Sequence, residues 1–318
     1  MNHQLDENLS DQQDIEMYIS PLTLLLFLAL LMIFGMLLGS GTIYLIGKYF
    51  GYSLTETMDT LGPDSGIEKR NFIRFSLLSN HLILFIMPPL VLAIIFFKKK
   101  WYTFLGWKKL GLEQLLINGL VGSFLIIVSM PLVQYVYYWN KQLPLPQWAR
   151  AIDDSTNEAI KNLLVTDAPW ELFFNIFVIA IIPAIGEEMV FRGVIQRRLE
   201  KWSGKPFIAI WLAATIFSAF HLQLEGFFPR LLLGALLGYL FYWTKSLWIP
   251  IIVHFVNNAL QIVAMHFFEK DISTIDIEAI DQVPIWGALI SILLILVISR
   301  FLIQFNSSDK KQNEELTS

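Results

Sequence analysis

The sequence of 318 residues lacks cysteine and has few charged residues. Without cysteine there is no disulfide framework, no cysteine nucleophile and no cysteine-ligated metal site. Charged residues make up 16% of the chain and hydrophobic residues 55%, with a mean hydropathy of +0.55. This composition excludes an intrinsically disordered chain. The net charge of −4 gives no basis for nucleic-acid binding, so no nucleic-acid partner is expected.

The sequence contains long apolar runs with few charged residues. A helix needs about 20 mostly apolar residues to cross the hydrocarbon core of a bilayer. We identify eight such stretches, at Pro21–Ile46, Phe75–Phe97, Leu115–Tyr138, Trp170–Leu199, Phe207–His221, Phe227–Trp243, Leu247–Phe268 and Pro284–Phe305. The fifth and sixth are short, so one of them could be tilted, broken or partly buried. The sequence predicts an all-α polytopic membrane protein with about eight transmembrane helices, and membrane lipids as partners.

The chain divides into five segments by composition. We expect a polar acidic tail (1–19), N-terminal transmembrane helices with a long loop (20–165), a core (166–268), an acidic loop with the last transmembrane helix (269–305) and a polar, disordered tail (306–318). The long loop contains a predicted short helix near Ser155–Leu164. Residues 1–19 contain no Lys or Arg, so no signal peptide is evident.

The distribution of Lys and Arg predicts the orientation in the membrane. Cytoplasmic loops of membrane proteins carry an excess of these residues. With the N-terminus inside, 14 of the 23 Lys and Arg residues fall on the cytoplasmic side. We therefore expect an integral multi-pass protein of the plasma (inner) membrane with both termini in the cytoplasm.

Ionisable residues interrupt the fourth apolar run. Glu187, Glu188 and Arg192 directly follow its apolar part. Adjacent residues lie about 100° apart on a helix, so the two carboxylates face different partners. Glu188 and Arg192 are four residues apart in the favourable order for an ion pair. This leaves Glu187 free to point into a cavity.

Two further polar sets lie in the next helices. Phe217 and His221 share one helical face, and His254 and Asn258 share another. Each set alone has a structural explanation, as a helix-end histidine or as interhelical hydrogen bonding. The predicted depths of these residues in the membrane favour a shared role in one site. Glu187 and His221 both lie roughly 20 Å from the turn near 200–206. His254 enters from the same side and lies roughly 13 Å into the membrane. His81 and His266 have no such partner and are interpreted as structural or interfacial.

Glu187, His221, His254 and Asn258 together form a set suited to hydrolysis. A carboxylate can act as a general base toward water, with a histidine that orients the water and moves its proton. A second histidine and an asparagine can stabilise an oxyanion. Two imidazoles and one carboxylate could instead hold zinc, with Glu187, His221 and His254 as ligands. The spacing does not decide between these two chemistries.

The ordered motifs Glu187-Glu188-x-x-x-Arg192, Phe217-x-x-x-His221 and His254-x-x-x-Asn258 resemble the CPBP family of CAAX proteases and bacteriocin-processing enzymes, also called the Abi family. The resemblance covers about Trp170–Met265. It implies an eight-helix intramembrane endopeptidase with an intramembrane catalytic cavity and a membrane-associated protein or peptide substrate. The family is commonly labelled as metalloproteases, but asparagine is a poor zinc ligand, and a metal-free glutamate mechanism is at least as well supported.

The resemblance also implies a role for each residue. Glu187 activates water with help from His221, while His254 and Asn258 stabilise the oxyanion. Glu188, Arg192 and Phe217 support them. Two other functions stay open from the sequence. One is a non-catalytic membrane protein that binds a peptide, as an immunity or scaffold factor would. The other is a transporter with a proton relay, which is ranked last because no internal repeat is found.

Overall fold

A computed structural model describes residues 19–62, 64–164, 166, 168–272 and 283–315; of residues 59, 268–272 and 308–315 only the backbone is described. This part of the chain forms ten helices and no strands. They are α1 (Pro21–Phe50), α2 (Leu54–Thr60), α3 (Ile67–Leu105), α4 (Leu112–Lys141), α5 (Gln147–Leu164), α6 (Pro169–Ser203), α7 (Pro206–Phe220), α8 (Phe227–Thr244), α9 (Trp248–Ile272) and α10 (Ile285–Glu315).

Seven of these helices are long and apolar enough to cross a membrane, namely α1, α3, α4, α6, α8, α9 and α10. The prediction of an all-α polytopic membrane protein is confirmed. The predicted count of eight spans becomes seven long helices and the shorter apolar helix α7, Pro206–Phe220. Since α7 has 15 residues and rises about 1.5 Å per residue, it is shorter than the hydrocarbon core.

Local sequence explains where the helices begin and end. The Ser20 hydroxyl caps α1 by accepting a hydrogen bond from the Thr23 N–H at 3.0 Å. Gly204, with a φ of 65°, ends α6 in the left-handed conformation that glycine tolerates best. Pro206 then opens α7 at a position where no N–H is needed. The break predicted near 200–206 is therefore confirmed.

The long loop and the C-terminal tail differ from the predictions. The short helix predicted near Ser155–Leu164 is present but begins earlier, as α5 over Gln147–Leu164. The tail predicted to be disordered instead continues α10 as far as Glu315, which is compatible with its Lys, Gln and Glu residues because these are good helix formers. The acidic N-terminal tail and most of the acidic loop lie outside the described residues.

Helix α6 occupies the centre of the bundle. It is the most buried of the seven spans and contacts α1, α3, α7, α8 and α9. Helices α4 and α10 pack together on one side, and α1 packs against α3 on the other. Large apolar side chains of α1 and α10 face outward, where a membrane protein meets lipid; examples are Leu26, Leu30, Leu37 and Leu293. The central helix thus carries Glu187, Glu188 and Arg192 away from lipid.

Helices α3 and α6 contain π-helical segments close to these site residues. In α3 the segment is Leu82–Ile86, and in α6 there are two, Ile176–Ile181 and Met189–Gln196. Prolines follow the first two, at Pro88–Pro89 and Pro183. A proline has no N–H to donate to the carbonyl four residues earlier, so the preceding turn is free to widen.

Candidate active site

The predicted ion pair lies at the centre of α6. Arg192 Nη1 donates a hydrogen bond to Glu188 Oε1 at 2.6 Å. Both side chains are almost completely buried. The other arm of the guanidinium, Nη2, donates to the Gly234 carbonyl of α8 at 2.7 Å. The guanidinium also lies 5.1 Å from the centre of the Phe217 ring, a cation–π contact. Arg192 therefore joins α6, α7 and α8 at the level of the acidic pair.

Glu188 also fixes the orientation of His254. Its Oε1 atom lies 2.8 Å from His254 Nδ1, so α9 joins α6 at this point. A carboxylate only accepts hydrogen bonds, so Nδ1 carries the proton of this bond. The opposite ring nitrogen, Nε2, then points toward Glu187, whose Oε2 lies 3.8 Å away.

Glu187 lies between two histidines. In addition to His254 on α9, His81 on α3 places its Nε2 atom 3.7 Å from Glu187 Oε1. Both separations are longer than a direct hydrogen bond but short enough for one water molecule to contact a histidine and the carboxylate together. Glu187 is 7% exposed, and the His81 side chain 19%. The carboxylate is therefore held among imidazoles in a mostly dry setting.

His81 is the site residue that sequence reasoning missed. Its Nδ1 lies 3.0 Å from the Leu77 carbonyl, and its ring stacks on Phe85 at 5.5 Å. It directly precedes the π-helical segment Leu82–Ile86, which two prolines follow. A histidine one or two turns before a Pro-Pro pair in an apolar run is the signal that could have indicated it, since π-helical distortions often occur at functional sites.

Phe217 connects the predicted His221 to the cluster. Its buried ring contacts His221 at 5.0 Å and His254 at 6.0 Å between ring centres, both edge to face. His221 follows the end of α7, and its Nδ1 lies 3.0 Å from the Phe217 carbonyl. Among the described residues, no hydrogen bond or ion pair joins His221 directly to Glu187. The Phe217 ring therefore contacts both imidazoles.

Asn258 lies one turn beyond His254 on α9, about 6 Å further along the helix axis. Its Oδ1 accepts a hydrogen bond from Asn257 Nδ2 at 3.1 Å. In the described part of the chain, no direct contact joins Asn258 to Glu187 or His221. The structure thus joins Glu188, Arg192 and His254 by direct hydrogen bonds and places Glu187 within 4 Å of His254, whereas His221 and Asn258 flank them.

This geometry bears on the three predicted zinc ligands, Glu187, His221 and His254. Within the described ranges, no group of three or more His, Cys, Asp or Glu side chains is arranged to hold a metal ion. Glu187, His221 and His254 therefore do not form a ready ligand set as they stand.

Comparison with known proteins agrees with the resemblance over part of the chain. Residues 169–260 match a family model described as type II CAAX prenyl endopeptidase Rce1-like. An uncharacterised protein of Bacillus subtilis (strain 168), YpbD, is 31% identical over 90 residues, which are 27% of this chain and 43% of that protein. The match thus spans less than half of the length of this relative. No solved structure matches the chain. The matched region begins at α6 and contains every predicted site residue, so the resemblance is confirmed for this region.

Proposed function

Because residues 169–260 are Rce1-like, we propose that this integral membrane protein is an intramembrane endopeptidase. Its substrate would be a membrane-associated protein or peptide, with a CAAX-like C-terminus or a bacteriocin-like precursor as the two chemical classes to test. The observation that carries the proposal is the position of Glu187, held between His81 Nε2 and His254 Nε2 within 4 Å of each. A buried carboxylate with two nearby imidazoles is suited to deprotonating water.

In the proposed reaction, Glu187 takes a proton from water while the hydroxide oxygen attacks the carbonyl carbon of the scissile peptide bond. The resulting oxyanion is stabilised by the Asn258 amide one turn away and by His254 when both of its ring nitrogens carry a proton, since the Nδ1 proton is used in the bond to Glu188. Collapse of this intermediate breaks the C–N bond, and the proton held by Glu187 passes to the leaving nitrogen. His221 and His81 help to orient the water and move the proton.

Glu188 and Arg192 act through His254 in this scheme. The hydrogen bond from Nδ1 to Glu188 fixes the ring, in the way a buried carboxylate orients the histidine of a hydrolytic triad. Arg192 neutralises Glu188, because an unpaired buried carboxylate would be costly. The two residues are therefore positioning residues, and Glu187 is the proposed base.

The decisive variant is Glu187→Gln, which keeps the size of the side chain and removes the base. We expect cleavage to fall by about 10²–10⁴-fold while the protein still accumulates in the membrane. The assay uses a farnesylated peptide ending in a CAAX sequence, together with a survey of new C-termini in membranes that contain the wild type or the variant. Glu113→Gln, an exposed carboxylate on α4, is the matched control and should keep full activity.

Two results would contradict this proposal. Full cleavage by Glu187→Gln would remove the proposed base, and a biological phenotype kept by that variant would favour the non-catalytic peptide-binding function. Elemental analysis of the purified protein, with activity measured after chelation, tests the mechanism separately. If the protein contained stoichiometric zinc and required it for cleavage, the proposal that Glu187 alone activates water would be wrong.

A further inference from the structure

Residues 221–226 connect α7 to α8, and the first of them is the predicted site residue His221. We call this segment the 221–226 loop. Leu222 directly follows the histidine and has a φ of 58°, in the left-handed region. This conformation costs a leucine about 1 kcal/mol or more, so it persists only where surrounding contacts fix the backbone. The position of His221 therefore depends on what holds the loop after it.

Arg230, in the first turn of α8, holds this loop two residues after His221. Its Nη1 atom donates a hydrogen bond to the side-chain oxygen Oε1 of Gln223 at 3.2 Å, and its Nη2 atom donates to the Gln223 main-chain carbonyl. The Nε atom of Arg230 is buried and has no hydrogen-bond partner among the described residues. Both arms of the guanidinium thus bind the residue that follows the strained Leu222.

Gly226 makes room for this guanidinium. A Cβ atom at Gly226 would lie 2.6 Å from Arg230 Cζ and 2.8 Å from Arg230 Nη2, closer than such atoms pack. The φ of Gly226 is −96°, which any residue can adopt. The backbone therefore does not require a glycine at this position, whereas the close approach of Arg230 does.

Two other helices hold the later part of the 221–226 loop. Asn140 of α4 donates its Nδ2 hydrogen to the Leu224 carbonyl at 2.8 Å. Asp153 of α5 accepts a hydrogen bond from the Glu225 N–H at 3.1 Å through Oδ2. Both of these side chains are buried. The far part of the loop is thus anchored to α4 and α5, and Arg230 fixes the part that adjoins the histidine.

We propose that Arg230 is a positioning residue of the candidate active site, which sets the place of the His221 imidazole by fixing the backbone at Gln223. The ring is also held by its Nδ1 atom, which lies 3.0 Å from the Phe217 carbonyl. A carbonyl only accepts hydrogen bonds, so Nδ1 carries the proton of this bond and Nε2 is the nitrogen that can accept one. This inference rests on the proposed function, in which His221 orients water and moves a proton. Displacement of such a group by about 1 Å can lower a rate about 100-fold.

The test measures cleavage of the farnesylated peptide by the full-length wild type, Arg230→Gln and Gly226→Ala. Arg230→Gln removes both hydrogen bonds to Gln223. Gly226→Ala keeps the charge and displaces only the far end of the flexible arginine side chain, so it should fold normally. We expect kcat to fall in both variants, by about 10–100-fold in Arg230→Gln. KM should stay within about twofold, because an interaction made only in the transition state lowers kcat and kcat/KM equally.

Each variant has a matched control. Arg150→Gln removes an exposed arginine that lies 3.9 Å from Glu225 in the same loop. Gly66→Ala changes the glycine that precedes α3, where a Cβ atom has nothing within 4 Å; like Gly226, it is the N-cap of its helix. Both controls should keep the wild-type kcat. Equal losses in the two arginine variants would show a general charge effect, and equal losses in the two alanine variants a capping effect. Either result overturns the proposal.

A double variant separates positioning from a purely structural role. If Arg230 acts through His221, Arg230→Gln should lower cleavage no further in a His221→Ala protein. Losses that multiply in the double variant, or a wild-type kcat in Arg230→Gln, would overturn this inference; with an inactive Glu187→Gln, the proposed function would still stand. Full cleavage by Glu187→Gln would instead overturn the proposed function and this inference with it.

Discussion

At the scale of single residues, one carboxylate oxygen organises the candidate active site. Glu188 Oε1 accepts hydrogen bonds from Arg192 on its own helix and from His254 on α9. Its second oxygen, Oε2, is buried and has no hydrogen-bond partner among the described residues. All directional contacts of the carboxylate are therefore concentrated on one atom, which couples the position of His254 to that of Arg192.

His81 gives the sharpest prediction at this scale. We expect His81→Ala to lower cleavage by about 10–100-fold, because Glu187 loses one of the two imidazoles that contact its water. The measurement is the initial cleavage rate per molecule of membrane protein across a range of pH. Loss of an imidazole that takes part in proton transfer should also change the shape of the pH–rate profile, which a purely structural loss would not do.

His266→Ala is the matched control for this prediction. His266 lies on α9 with its Nδ1 atom 3.3 Å from the Thr166 hydroxyl, and its ring contacts Phe267 rather than the site. An equal loss of activity in both variants, or an unchanged rate and pH profile in His81→Ala, would contradict the role of His81.

The sequence was informative about residues whose geometry is local. The pairing of Glu188 with Arg192 follows from a spacing of four on one helix, and the structure has this contact. The contact between Glu188 and His254 was not predicted, because it depends on how α9 packs against α6. His81 was misinterpreted for the same reason, since its approach to Glu187 depends on the packing of α3 against α6.

At the scale of the helices, close packing of α3 on α6 brings His81 to Glu187. Gly186 precedes Glu187 and faces the π-helical segment of α3. A Cβ atom at this glycine would lie 2.8 Å from Phe85 Cβ and 3.0 Å from Ile86 Cγ1, closer than such atoms pack. The absence of a side chain at Gly186 is therefore what lets the two helices approach at the level of the site.

We expect Gly186→Ala to separate α3 from α6 and to lower cleavage by about tenfold or more, since misplacement by about 1 Å is costly for catalysis. Stability should also fall, by about 1–3 kcal/mol, as is typical of overpacking. Cleavage rates and thermal unfolding in detergent measure the two effects.

Gly41→Ala is a matched control, because a Cβ atom at Gly41 of α1 has nothing within 4 Å. It should leave cleavage unchanged and leave stability equal or slightly higher, since alanine favours the helix. A Gly186→Ala protein as active as Gly41→Ala would show that the close approach of α3 and α6 is not required.

The helices were easier to predict from the sequence than the contacts between them. Apolar length and the Gly204–Pro206 break were sufficient to place most spans, because the bilayer imposes a minimum length on each. The sequence showed that the fifth apolar stretch is short, and the structure has it as the 15-residue helix α7. The π-helical segments were not predicted, since a widened turn depends on packing as well as on a following proline.

At the scale of the whole molecule, a buried polar cluster joins the two halves of the chain. Glu171, at the start of α6, pairs with Arg70 at 3.1 Å and with Arg74 at 2.8 Å, both on α3. Arg74 Nε also donates to Asn175 Oδ1 at 2.8 Å. Because these side chains are fully buried, the cluster fixes α3 against α6 at the end of the bundle where α6 begins.

Removal of the Glu171 carboxylate should destabilise the protein. Glu171→Gln removes the negative charge with which both Arg70 and Arg74 pair, and we expect a loss of about 3–5 kcal/mol. Equilibrium unfolding in mixed detergent micelles measures it. Glu158→Gln, an exposed carboxylate on α5, should change stability by less than about 0.5 kcal/mol. Equal stability of the two variants would show that the cluster does not hold the halves together.

This cluster also sets a condition on any attempt to graft the fold. The Rce1-like region begins at residue 169, so it contains Glu171, while both arginine partners lie about a hundred residues upstream. A chimera that fused residues 169–260 to the first half of another membrane protein would import a buried acid without its countercharge. The usable crossover point for protein engineering therefore lies before Arg70, and the smallest transplantable unit is larger than the region that sequence similarity marks.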